Sequence, residues 1–121
     1  MLILAALMFV ALGLMHSLRG GRYLIDPILR LDGLPVILGS RHNTRLTLKA
    51  GWHIASLFWW GNAAALVWLW SDPARGAAAF LIPLGVVCLV AGATAAWLSK
   101  GKHLSWVFFL PIGAILLWAG L

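Results

Sequence analysis

The sequence predicts an all-α integral membrane protein: a four-helix transmembrane bundle, up-down-up-down, with an interfacial helix and shallow loop between spans one and two. Three observations carry this expectation. The 121 residues are 63% hydrophobic and 10% charged. Soluble domains have roughly 45–50% apolar and about 25% charged residues, so a chain this size lacks the interior to hide so much apolar surface. Apolar runs at about 1–18, 46–70, 74–99 and 104–121 approach or exceed the length of a membrane span. Finally, six of the nine basic residues (Arg19, Arg22, Arg30, Arg41, Arg45 and Lys49) are concentrated in the stretch from Leu18 to Lys49, around the break between the first and second runs. Residues 1–121 are expected to form a single membrane domain with no soluble domain attached.

Met1 to Leu18 is read as an uncleaved span. A signal peptide would carry its positive charge ahead of the apolar run, whereas the first basic residue here is Arg19. Gly13 and Ser17 are four apart and so share a face that a second helix can approach closely. Gly20-Gly21 is expected to end this helix. The basic loop, residues 19–45, contains Asp26-Pro27, which resembles a helix start because Asp caps and Pro suits the first helical position. The short helix that follows, over Leu24 to Leu31, is expected to lie along the headgroup region. Span two begins after a cap at Ser40, Asn43 or Thr44. His53, Ser56 and Trp60 lie on one face of it, at spacings of three and four. Asn62, near its middle, is expected to bond across to another helix. Trp52, Trp68 and Trp70 suit interfacial belts, whereas Trp59 and Trp60 lie too deep for that role. Asp72-Pro73 opens span three, whose Cys88, Gly92 and Ala96 recur every four residues as a small-residue packing stripe. Pro83 and Pro111 are expected to kink spans three and four.

Topology follows from charge. If the loop and Lys100 to Lys102 are cytoplasmic, eight basic residues lie inside and only Arg75 lies outside. The positive-inside rule then places both termini outside, in a multi-pass protein of the bacterial inner membrane. The net charge of +6 is expected to meet anionic headgroups, through Arg19, Arg22, Arg30, Arg41, Arg45 and Lys49. No nucleic-acid partner is expected.

The histidines are the most suggestive chemistry. His16, His53 and His103 fall at the cytoplasmic end of the spans, and His42 lies just before span two. Imidazoles at one depth suit a transition metal or haem. This makes His16, His53 and His103 candidate metal ligands, and His16, His53, Trp59 and Trp60 candidate cofactor contacts. No H-x-x-x-H or C-x-x-C spacing accompanies them. No carboxylate lies within a span, which argues against a usual proton-coupled transporter, and no catalytic constellation is evident. The leading expectation is a non-enzymatic accessory or scaffold protein that packs with a larger membrane complex, or as a homo-oligomer, or binds lipid or another apolar ligand. The alternatives are a haem- or metal-binding protein serving electron transfer, and a small transporter or channel subunit.

Overall fold

A computed structural model describes residues 1–121, and all of its regular elements are helices, with no strands. Helix α1 covers Leu2–Leu14 and passes without a break into a π-helical segment, Met15–Ile25, and then into α2, Asp26–Leu29. A connecting segment leads to α3, Arg41–Ser71, the longest helix. A single 3-10 turn, Pro73–Arg75, precedes α4, Gly76–Leu98. Helix α5 covers Ser105–Gly120. Two stretches, Leu2–Leu29 and Pro73–Leu98, are long and apolar enough to cross a membrane, and Ser105–Gly120 is a shorter apolar helix.

Gly20-Gly21 does not end the first helix. Both glycines lie within the π segment, and the N–H of Asp26 still bonds back to the carbonyl of Gly21. The reason lies in packing: the missing side chains leave room for α3. A Cβ on Gly20 would lie 2.6 Å from the Trp52 ring, and one on Gly21 would lie 3.5 Å from His53. Leu24 to Leu31 is therefore no separate helix; its first residues prolong the first rod. Asp26 makes no side-chain cap. Its carboxylate lies 3.5 Å from Lys49 Nζ, an exposed pair that ties the end of the rod to α3.

The segment before α3 is folded onto that helix by its own polar groups. Ser40 is the cap, accepting from the Asn43 N–H at 3.1 Å. Thr44 is buried and pins the loop instead: its hydroxyl donates to the Pro35 carbonyl at 2.6 Å and accepts from the Ile37 N–H at 3.2 Å. Asn43 Nδ2 donates to the Leu38 carbonyl at 2.7 Å. Leu38 and Gly39, at φ +50° and +84°, make the tight reversal between them, as the mirror-image turn types require.

Helix order in space follows chain order. Helix α1 packs on α3, α3 on α4, and α4 on α5. The last pair is the closest. A Cβ on Gly85 would lie 3.0 Å from the Gly113 carbonyl, and one on Gly113 would lie 2.9 Å from the Gly85 carbonyl, so here the two backbones touch. Gly92 abuts Leu110, and Gly61 of α3 receives Val87 of α4. In the α4 stripe Cys88 and Gly92 are buried, but Ala95 rather than Ala96 continues it. Helix α5 also approaches α3 through Phe58 and Phe109, with ring centroids 6.1 Å apart. Helix α1 forms no packed pair with α4 or α5, so the four helices do not close around a common centre. Only 18 of 121 residues are buried, because an open arrangement of thin elements has little interior.

Candidate functional site

The polar groups converge where α1 and its π extension meet α3. The residues facing α3 recur every four, Gly13, Ser17 and Gly21, and the buried Ile25 continues the same spacing. Four residues overshoot an α turn of 3.6 and undershoot a π turn of roughly 4.4. Passing from one geometry to the other cancels the drift and keeps the four on one line. From α3, His53, Ser56 and Trp60 form the facing line, as their spacing predicts.

His53 Nδ1 lies 2.9 Å from Ser17 Oγ, and Ser17 Oγ donates to Ser56 Oγ at 2.9 Å. A hydroxyl has one proton. With that proton given to Ser56, Ser17 accepts from Nδ1 of His53, whose Nε2 edge faces Gly21. Ser56 is fully buried, whereas His53 is exposed at its edge. The three groups thus form a polar chain from the helix interface to the surface.

His16 belongs to a different cluster at the same level. Its ring stacks on Trp52, with centroids 3.9 Å apart and planes within 10°, and meets Trp59 edge-on at 4.8 Å. The Trp52 indole N–H donates to the His16 carbonyl at 2.9 Å. His16 Nε2 is buried without a hydrogen-bond partner. Trp60 sits against Gly13, and its N–H reaches the Val10 carbonyl at 3.4 Å. Both deep tryptophans therefore serve the α1–α3 contact. Asn62 does not bond across helices; its Nδ2 donates to the Phe58 carbonyl of its own helix at 2.9 Å. Backbone four residues back is the nearest acceptor for an amide on an exposed face.

His103 is placed elsewhere. Its Nδ1 lies 2.8 Å from Ser105 Oγ and its backbone N–H bonds Ser99 Oγ, in the turn between α4 and α5. No group of three or more His, Cys, Asp or Glu side chains is arranged to hold a metal ion, so His16, His53 and His103 do not form a ligand set. His42 is exposed at the start of α3. Among the headgroup candidates, Arg19, Arg22, Arg30 and Arg41 are exposed, Lys49 is paired with Asp26, and Arg45 is half-buried with its Nε unpartnered.

A second feature was not anticipated from the sequence. A cavity of about 250 Å³ lies between α3, α4 and α5, under the Leu38 turn, with Leu46, Ile54 and Phe109 among its walls. Its polar lining includes Asn43, Ser99 and His103. Its walls come from three helices and a loop distant in sequence, and no local spacing encodes such a space. Comparison with family models, curated proteins and solved structures found no match to this chain.

Proposed function

We propose that this chain is a small integral-membrane accessory protein that crosses the bilayer four times and packs its outer helices against a larger membrane complex. The observation that supports it best is the pattern of exposed apolar side chains on the two outer helices. At the start of α5 and along it, Leu104, Phe108, Ile115 and Trp118 are 66%, 68%, 62% and 84% exposed. They recur at helical spacing and form one continuous face. On α1, Leu4, Leu7 and Met8, and on its π extension Leu18, are exposed in the same way. A water-soluble monomer rarely leaves contiguous apolar faces of this extent uncovered. The basic residues, eight on the loop side against Arg75 on the other, favour both termini outside and a bacterial inner membrane as the setting.

A photoreactive residue in place of Phe108 tests this directly in cells. The expected result is retention of the chain in alkali-washed membranes and a crosslinked adduct with one discrete membrane protein. Release from the washed membrane would overturn the membrane assignment. Retention with no protein adduct would overturn the accessory role. A haem- or metal-binding role has one observation in its favour, the buried and unpartnered His16 Nε2. Purified protein with a visible absorption band that is lost in His16→Ala would support that reading in place of the first.

A further inference from the structure

We propose that the cavity between α3, α4 and α5 is a binding site for one anionic phospholipid, with an acyl chain inside and the phosphate at the rim. This rests on the membrane reading above. The cavity has the two-part character of an amphiphile site. Its body is apolar, walled by Leu46, Ile54, Leu98 and Phe109. A dry apolar cavity of roughly 150 Å³ already takes up a benzene ring, so about 250 Å³ accommodates a length of acyl chain. Its polar lining is concentrated at the first two turns of α3 and at the α4–α5 turn, in Asn43, Thr47, Ser99, His103 and Ser105.

The charge at that rim selects the head. Lys100 and Lys102 flank Gly101, inside the turn whose two ends, Ser99 and His103, both line the cavity. Arg41 is two residues before Asn43 on the opposite rim. All three cations are exposed, and none has a carboxylate partner, because the one ion pair in the chain is Lys49 with Asp26. No Asp or Glu lines the cavity. The rim therefore offers uncompensated positive charge beside hydrogen-bonding groups, and an apolar slot opens beneath it. A phosphate with its negative charge and acceptor oxygens suits that rim, and basic pockets between membrane helices bind such headgroups. His103 keeps its Nε2 for this purpose, since Nδ1 is engaged with Ser105.

Native mass spectrometry of the full chain from detergent, titrated with dioleoyl phosphatidylglycerol or dioleoyl phosphatidylcholine, tests the proposal. The expected result is a single saturable adduct with phosphatidylglycerol, about tenfold weaker with phosphatidylcholine. Ala50→Phe, which fills the slot, should abolish the adduct. Lys100→Gln with Lys102→Gln, two exposed changes with little influence on folding, should erase the preference between lipids. Equal binding of the two lipids by the natural chain would overturn the headgroup assignment. An undiminished adduct in Ala50→Phe would overturn the placement in the cavity. Neither result bears on whether the chain is retained in alkali-washed membranes, which is decided separately.

Discussion

Ser17 and Gly13 occupy the same line of the first helix and hold α3 by opposite means. Ser17 bonds His53 and Ser56, whereas Gly13 provides a gap into which the Trp60 indole fits. Hydrogen bonds between membrane helices average only about 0.6 kcal/mol, while crowding a packed contact costs about 1–3 kcal/mol. Gly13→Leu is therefore expected to destabilise the protein more than Ser17→Ala, by a further ~1 kcal/mol, in reversible unfolding followed by tryptophan fluorescence in detergent. A larger effect of Ser17→Ala would show that the polar chain, and not close approach, holds the two helices together. Much of this face was legible in the sequence. The spacing of His53, Ser56 and Trp60 marked it on α3, and Gly13 with Ser17 marked it on α1. What the spacing could not show was the partner of each histidine. Ser17, rather than its neighbour His16, reaches His53, because His16 is held by stacking on Trp52, and ring stacking between distant residues leaves no local signature.

The helices themselves were legible as apolar runs, and their errors are instructive. A Gly-Gly pair usually ends a helix because nothing resists unwinding. Here Trp52 and His53 press against those glycines and keep the chain helical, a tertiary effect absent from the local sequence. The π turns that result are a feature often found at functional positions. In α4 the sequence indicated a four-residue stripe, and the structure bends it from Ala96 to Ala95. The two positions give a discriminating pair. Gly92→Leu would place its Cβ 2.8 Å from Leu110 and should lower stability by about 1–3 kcal/mol. Ala96→Leu, at a half-exposed position, should change it by less than about 0.5 kcal/mol. Thermal unfolding of the two variants side by side in detergent measures the contrast, and equal losses would mean that the α4–α5 contact is not set by Gly92.

At the level of the whole molecule, the sequence indicated four helices and a polarised distribution of charge, but not the open arrangement. Composition counts apolar residues without saying which of them meet. The prediction that belongs to this scale is orientation. A C-terminal alkaline phosphatase fusion is expected to be active and a C-terminal fluorescent reporter dark, while reporters inserted near Asp32 should behave in the opposite way. The reverse pattern would invert the assignment of the basic loop to the cytoplasm. Substituting Lys100 and Lys102 together should leave this orientation unchanged, since six of the eight basic residues on that side lie in the stretch from Arg19 to Lys49.

The packing of α1 on α3, α3 on α4 and α4 on α5 has a consequence for how the chain is assembled. Each long helix, as it leaves the ribosome, meets the neighbour made just before it. No helix must wait for a later one to arrive or displace an earlier pair. The order of synthesis is then the order of docking, and the search among wrong pairings is short, as expected where contacts are made between nearest elements along the chain. The same serial layout means that a cut between Leu31 and Leu38 divides only one packed pair of long helices, α1 with α3. Two fragments made separately, one carrying α1 and the other α3 to α5, are expected to find each other along the Gly13–Ser17–Gly21 line and co-purify.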